Sequence, residues 1–396
     1  MNTPSFQRIG LFGFGVVGQG LYDVLHRTPG LQSEIARICV KDRHKDRPLP
    51  SSAFTFDRED ILNDPTIDVV VELINDASAA FEIVEAALRS GKAVVSANKK
   101  LIATRFPELL ALQRETGSPF LYEASTCGSI PIIRNLEEYY DNDLLSKVDG
   151  IVNGTTNYIL TALHNPTSGG YPVALEEAQK RGFAETDPTL DVEGFDAAFK
   201  TTIIAAHAFG VVTQPETIVR RGITTVTPFD ISIARQHGKR IKLLSRAQLQ
   251  GSGLSVIALP AFVPSDGQLG NVNHEVNAVR VTAAFSDAQL LVGKGAGGGP
   301  TASAVLSDIA ALRYGYKYEY KKLHQPARPR IDHDVDVTVY VRASTSIIAG
   351  IPFSTIDVDH RSNAGRYVIG SVQLDALHRS EAFADPTAFI AVIPEE

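Results

Sequence analysis

The chain has 396 residues, enough for two to three domains with substantial hydrophobic cores. Apolar residues make up 44% of it and charged residues 21%, near the globular averages, which excludes a mostly disordered chain or a coiled coil. With 38 basic against 45 acidic residues the net charge is −7, which disfavours broad binding of nucleic acid or anionic membranes and restricts any phosphate site to a local pocket.

The first 125 residues alternate strand-like and helix-like patterns. Arg8–Phe12 reads as a strand, Gly18–His26 as a helix, and Ile35–Val40 and Ile67–Leu73 as strands. Ala79–Ser90 follows as a helix capped by Ser78 and stopped by Gly91, then Ala93–Ser96 as a strand. Such alternation predicts a parallel sheet with helices on both faces. Between the first strand and helix lies Gly13-Phe14-Gly15-Val16-Val17-Gly18, a G-x-G-x-x-G in the context that binds dinucleotides. The first glycine serves the tight turn, the second the approach of a pyrophosphate, and the third helix–strand packing. At the end of the second strand, where the adenosine ribose is read, Asp42 favours a 2′-hydroxyl, whereas Lys41, Arg43 and Lys45 favour a 2′-phosphate. The balance leans to NADP over NAD; the plain alternative is a solvated charged loop.

From Glu123 the texture changes. Leu144–Val152 reads as a strand, Asn153-Gly154-Thr155-Thr156-Asn157 opens a helix, and a Gly/Asp-rich segment at Arg181–Gly194 precedes a helical run from Phe195 to Phe209. Carboxylates crowd this segment at Glu185, Asp187, Asp191, Glu193 and Asp196. Asp196 and Lys200 share one helix face at i and i+4, which positions a proton donor or makes an ordinary surface ion pair. His207, in an apolar run, reads as a core histidine. Further strands are expected at Val256–Phe262 and Ala278–Ala284, then a Gly-rich loop at Gly293–Gly299 and a helix at Thr301–Leu312. The tyrosine–lysine alternation of Tyr314–Lys322 reads as a two-faced strand, and His324–Arg330 as a linker. A β-rich tail follows, with Val335, Val337, Val339 and Val341 on one face. The expected domains are residues 1–125, completed by the helix at 301–323, for the dinucleotide; 126–300 for substrate, catalysis and dimerisation; and a small C-terminal β-rich segment at 331–396. Two cysteines, Cys39 and Cys127, give neither a disulfide framework nor a Cys-x-x-Cys metal spacing, consistent with a reducing, cytoplasmic setting. The N-terminal segment has no secretory pattern, and the apolar runs fall far short of the ~18 residues of a spanning helix.

The ordered set GFGVVG, VVEL, SANKKLIA, YEASTCGSIPII, NGTTNYIL, AETDPTLDVEGFDAAFK and GKGAGGGPTASAV, over roughly residues 8–323, resembles the homoserine dehydrogenases. The resemblance implies an α/β protein: a Rossmann-type doubly wound domain joined to an α+β domain. It also implies reduction of aspartate 4-semialdehyde to homoserine with NADPH or NADH, in the threonine and methionine branch of amino-acid biosynthesis, by a homodimer. It makes Lys200 the proton donor to the carbonyl oxygen, Asp196 the carboxylate orienting the reacting end, Glu185 the partner of the substrate ammonium, and Lys99 the lysine at the nicotinamide and substrate. Asp191, Gly154 and Thr155 line the amino-acid pocket, and Asn75, Gly182 and Gly297 join the fingerprint at the cofactor. A monovalent cation, sodium, is implied at Glu123, Thr126, Gly128 and Ile130, mostly through backbone carbonyls, which suit a hard ion. The chain departs from the family pattern at Asn75-Asp76, Cys127, Ser129 and Phe183, and its last 66 or so residues do not match the ACT-type regulatory domain of longer members. Two other readings are a Rossmann oxidoreductase acting on another amino acid and a non-catalytic nucleotide sensor.

Overall fold

The computed structural model describes residues 6–141, 144–165, 169–362 and 365–395. The chain divides into two compact units, residues 1–141 with 293–321, and residues 142–292 with 322–396.

In the first unit, strands β1 (Gln7–Phe12), β2 (Ser33–Cys39), β3 (Phe54–Thr55), β4 (Val69–Glu72), β5 (Ala93–Ser96) and β6 (Phe120–Leu121) form one sheet. Their order is β3-β2-β1-β4-β5-β6 and every pair is parallel. The strand order reverses between β1 and β4, and a crevice for a dinucleotide opens at the carboxyl ends of strands at such a point. Helices α1 (Val16–Arg27), α2 (Glu59–Leu62), α3 (Ala77–Arg89) and α4 (Lys99–Thr116) make the crossovers. Strand β4 reads VVVE and is buried throughout, as a strand covered on both faces must be. The expected cap of α3 is corrected: Asp76, not Ser78, caps it, its carboxylate accepting from the amides of Ser78 and Ala79 at 2.9 and 3.1 Å. A carboxylate satisfies these amides and also meets the positive end of the helix. Helix α5 (Ile132–Glu138) ends this part of the chain.

The second unit is built on a mixed sheet of strands β7 (Leu145–Ile151), β8 (Val219–Arg220), β9 (Lys239–Gln250), β10 (Gly253–Pro264), β11 (Val276–Ala283), β12 (Gln289–Lys294), β13 (Arg330–Ile331), β14 (Asp336–Arg342), β15 (Thr355–Ser362), β16 (Gly365–Gln373) and β17 (Phe389–Val392). The order runs β12-β11-β7-β9-β10-β17-β14-β16-β15, with β8 and β13 also pairing with β10. Residues from 330 onward continue this sheet through the parallel β10–β17 pair. Val339 and Val341 are buried in one core with Ile151, Leu244, Ile257 and Val368. Arg221 fastens the segment before β17, its guanidinium donating to the carbonyls of Phe383, Asp385 and Ala388. Helices α6 (Gly154–Leu163), α7 (Tyr171–Lys180), α8 (Thr189–Val192), α9 (Phe195–Phe209) and α10 (Pro228–Gln236) complete the unit. Helix α9 is buried nearly all round, His207 included, as a helix apolar on every face must be.

After β12 the chain returns to the first unit as α11 (Gly298–Leu312) and a tyrosine-rich segment. The expected strand at Tyr314–Lys322 does not form. Its alternation holds, with Tyr318 and Tyr320 buried and Lys317 and Glu319 exposed, but the amides of Tyr314, Gly315 and Tyr316 turn back onto the end of α11 and the later bonds involve side chains rather than a ladder. The Tyr320 amide donates to Glu137, the Tyr122 amide to the Tyr318 hydroxyl, and the Tyr320 hydroxyl meets Tyr122 and Gln113. The predicted loop at Gly293–Gly299 likewise begins inside β12. Among the described residues no helix is long and apolar enough to cross a membrane.

Lys242, on β9, is 1% exposed, and its ammonium donates to Asn157 Oδ1 at 2.9 Å and to the Val272 carbonyl at 2.5 Å. Burial pushes the amine down to about 7, so between about pH 7 and 10.5 the unfolded chain holds a proton that the folded chain has shed. Stability contributed by this residue therefore rises with pH across that window. Urea unfolding of wild type and Lys242→Met between about pH 7 and 9 is expected to show a wild-type stability that climbs relative to the variant, by at most ~1.4 kcal/mol per pH unit. Parallel curves would contradict it.

Candidate functional site

The turn between β1 and α1 sorts its glycines by what a side chain would meet. A Cβ on Gly13, at φ +95°, would lie 2.7 Å from the Leu73 carbonyl, and one on Gly18 2.4 Å from the Gly13 carbonyl. These two serve the protein's own packing. A Cβ on Gly15 would meet nothing within 4 Å, so the backbone there faces open space at the start of α1, where helix amides and dipole favour a phosphate. Phe14 is buried, with ring contacts to Tyr22 and Phe54; Val16 is exposed and Val17 half-buried. Gly297 and Gly298 begin α11, and a Cβ on Gly298 would sit 3.0 Å from the Val16 carbonyl, so the structure brings the second glycine-rich segment against the fingerprint.

Lys41, Asp42, Arg43 and Lys45 follow β2 in an exposed turn. The Asp42 carboxylate closes that turn by accepting the His44 amide at 2.8 Å, a bond that holds its carboxyl below the usual range. Arg47, which no motif singles out, donates to the carbonyls of Asp42 at 2.7 Å and Lys45 at 2.9 Å. Arg43 stacks over Phe56 with 4.7 Å to the ring centre. Asn75 is exposed beyond β4. Lys99, half-buried, is the first residue of α4, whose start is capped by Asn98.

In the second unit the turn between β7 and α6 meets the first turn of α9. The Lys200 ammonium lies 2.9 Å from Asp196 Oδ2 and donates to the Val152 carbonyl at 2.7 Å. Asp196 and Lys200 are 1% and 5% exposed, so this is a buried pair and not a surface salt bridge. The Asn153 side chain donates to Asp196 at 2.8 Å and to Asp191 at 2.7 Å, while its carbonyl caps α6 by accepting the Thr156 amide and hydroxyl. Asn153, to which the motif alone assigns no role, is thus joined to this cluster; its position as cap before a helix is the signal that could have pointed to it. Gly154 follows it, and Thr155 donates to the Phe183 carbonyl at 2.5 Å, tying α6 to the segment that carries Gly182 and Glu185. Gly182 sits exposed at φ +74°. The Glu185 side chain is exposed and lies outside the bonded cluster; its carbonyl accepts from Gln179 at 3.1 Å. Of the remaining carboxylates, Asp187 caps its own turn through Thr189, and Glu193 accepts from Thr224.

The expected cation positions lie in the first unit. The Glu123 carboxylate is spent on the amides of Ile133 and Arg134 at the start of α5, at 2.9 and 2.8 Å, and burial beside Asp308 pushes it up to about 8. The Thr126 hydroxyl donates to the Glu123 carbonyl at 3.2 Å, and Gly128, at φ +53°, lies against the backbone of Lys294 and Gly295. Ile130 is buried in the same loop. Among the described residues no three His, Cys, Asp or Glu side chains converge as a metal site, so the oxygen donors on offer here are backbone carbonyls.

The contrast between the glycines is measurable. Gly15→Ala is expected to keep the melting temperature close to wild type while weakening nucleotide binding by roughly tenfold or more, because its methyl would occupy the open space alone. Gly18→Ala should lower the melting temperature, since its methyl overlaps a fixed carbonyl. Thermal melts with nucleotide titration decide it, and equal stability losses in the two variants would refute the assignment.

A family model described as homoserine dehydrogenase, NAD binding domain, matches residues 13–123, and the homoserine dehydrogenase model matches residues 131–310. A homoserine dehydrogenase of Bacillus subtilis is 41% identical over 314 residues, covering 77% of this chain and 72% of that protein. The crystal structure of a homoserine dehydrogenase from Thiobacillus denitrificans superposes with a TM-score of 0.86 at 30% identity, over 98% of both chains. A hyperthermophilic archaeal homoserine dehydrogenase in complex with NADPH gives a TM-score of 0.67 at 25% identity, over 79% of this chain and 99% of that one. The parallel nucleotide-binding sheet and the mixed second sheet are those expected from the resemblance, and the chain belongs to the homoserine dehydrogenase family of oxidoreductases.

Proposed function

We propose that this chain interconverts L-homoserine and L-aspartate 4-semialdehyde with NADP as its preferred partner, as a cytoplasmic homodimer of the threonine and methionine pathways. The observation that carries the reading is the buried Lys200–Asp196 pair held by Asn153, since such a pair is a positioned acid rather than a surface contact. When bound, the nicotinamide dinucleotide gives hydride to the aldehyde carbon or takes it from the alcohol. The Gly15 backbone would face its pyrophosphate with Phe14, Val16 and Val17 beside it. Gly297, Gly182 and Asn75 would contribute further cofactor contacts.

Lys200 gives a proton to the oxygen that becomes negative as hydride arrives, and takes it back in oxidation. Asp196 orients that ammonium, and its carboxylate faces the reacting end. Lys99, at the start of α4, is the lysine at the nicotinamide and substrate. Glu185, exposed and outside the bonded cluster, is available to the substrate ammonium, and Asp191, Gly154 and Thr155 line the amino-acid pocket. Glu123, Thr126, Gly128 and Ile130 would hold a hard monovalent cation such as sodium through backbone carbonyls, since the Glu123 carboxylate is engaged by the amides that start α5.

The assay is NADP reduction by L-homoserine, followed by absorbance. Lys200→Ala is expected to lower kcat by ~10²–10⁴-fold with nucleotide affinity little changed, the range for loss of a general acid. A folded variant with near wild-type kcat would remove Lys200 from the reaction.

Cofactor choice is the second expectation. The Asp42 carboxylate is engaged by the His44 amide, which supports leaving the adenosine end to Lys41, Arg43 and Lys45. Lys41→Ala with Arg43→Ala should cost at least roughly tenfold in NADP affinity and far less in NAD affinity, since a charge-assisted hydrogen bond contributes ~1.5–3 kcal/mol. An equal loss for both nucleotides, or a wild-type preference for NAD, would show that Asp42 reads the ribose.

A further inference from the structure

Glu72 ends β4 at a place where nothing in the reaction just described uses it. It is fully buried, stands in register with Phe12 at the end of β1 and with Ser96 at the end of β5, and so occupies the middle of the sheet's carboxyl edge. A buried carboxyl is costly unless its oxygens are bonded, and here both are. Oε2 accepts the Ser96 hydroxyl at 2.6 Å, and Oε1 accepts the Ile74 amide at 2.7 Å. Ser96 Oγ in turn accepts the Asn98 amide at 3.0 Å. The Asn98 side chain donates to the Ile74 carbonyl at 3.0 Å and accepts the Leu101 amide at 2.9 Å. These bonds make a closed ring: Glu72 to Ser96, Ser96 to Asn98, Asn98 to Ile74, and Ile74 back to Glu72. The ring locks the loop after β4 to the first turn of α4, whose first residue is Lys99. The same loop touches the fingerprint, because Leu73 donates its amide to Phe12 and its carbonyl lies against Gly13.

We propose that Glu72 is a positioning residue for the reaction, setting the place of Lys99 by holding the β4 and β5 loops in one hydrogen-bonded ring. The proposal rests on the reading of Lys99 as a residue at the reacting centre. Burial pushes the Glu72 carboxyl up to about 7, which accords with a group retained for its bonds rather than for its charge. An apolar residue of similar size would fill the same space but leave the Ile74 amide and the Ser96 hydroxyl without their acceptor.

The test is steady-state kinetics of NADP reduction by L-homoserine, with direct NADP titration and melting curves, on Glu72→Ala, Glu72→Gln, Ser96→Ala, Lys99→Ala and the Glu72→Ala/Lys99→Ala pair. Glu72→Ala and Ser96→Ala are expected to lower kcat by roughly tenfold to a hundredfold, the cost of misplacing a reacting group by about an ångström. Homoserine KM and NADP affinity should stay within about threefold of wild type. Glu72→Gln, which keeps the Ile74 bond, should recover most of kcat. In the Lys99→Ala background Glu72→Ala should add less than about twofold, because the residue it positions is already gone. If Lys99→Ala lowers kcat but Glu72→Ala and Ser96→Ala do not, the positioning role is overturned and the Lys99 reading stands. If Lys99→Ala leaves kcat unchanged, the Lys99 reading itself falls. Full additivity in the double variant overturns the proposal by showing that Glu72 acts elsewhere, and should Glu72→Ala not fold, Ser96→Ala and Glu72→Gln decide it by the same kinetic comparison.

Discussion

An ammonium group in a protein interior has to be answered on every side, and the second unit is arranged around that demand at Lys200. One answer comes from its own helix, four residues back at Asp196, and one from the Val152 carbonyl at the end of β7. The carboxylate then needs donors of its own, and Asn153 provides one while its other end starts α6. A single pair therefore fixes the relation of a strand end to two helix beginnings. Removing either charge alone would strand the other in a low-dielectric site, a loss of several kcal/mol in comparable pairs and more severe than replacing both.

The first unit solves a different problem, how to offer backbone amides to an anion without filling the space with side chains. Close packing is assigned to Gly13 and Gly18, and openness to Gly15. The carboxyl edge of the sheet is then stiffened from below by buried polar groups. Glu72 and Ser96 act between β4 and β5, and Glu123, Asp308 and Arg134 act where α11 meets the turn before α5, with Arg134 2.8 Å from Asp308. Loops that hold ligands gain precision when rigid elements and satisfied second partners support them.

Much of this is legible in the chain itself, for reasons that differ by element. Strand β5 and the β1–α1 turn are local: alternation, Gly and burial on both faces write them directly into the residues. Asp196 and Lys200 are visible as an i, i+4 pair, but their burial is not, because it depends on β7 and α6 closing over them from 40 or so residues away. Strand β9, KRIKLLSRAQLQ, is hidden from such a reading, since its charges mask the alternation; Lys242 points a cation inward and Asp149 on β7 draws Arg246 to it at 3.0 Å. The segment at Tyr314–Lys322 misleads in the opposite sense. Period-two patterning reports which residues face inward, and it is silent on whether the backbone finds a ladder or, as here, phenol and carboxylate partners.

The return of the chain to the first unit at α11 bears on how the protein is made. Helix α1 emerges early in synthesis, yet a helix it packs against lies more than 270 residues later, and β10 pairs with β17 across some 130 residues. At about 5–20 residues per second a ribosome needs many seconds to deliver those partners. Through that interval the nascent nucleotide-binding half exposes the apolar flank of α1, and the growing mixed sheet has an unfilled slot beside β10. A nucleotide-binding fragment cut at residue 141 would keep all six strands of the parallel sheet and lack α11, which packs against α1 and β5, so a single cut in the sequence does not release an intact module.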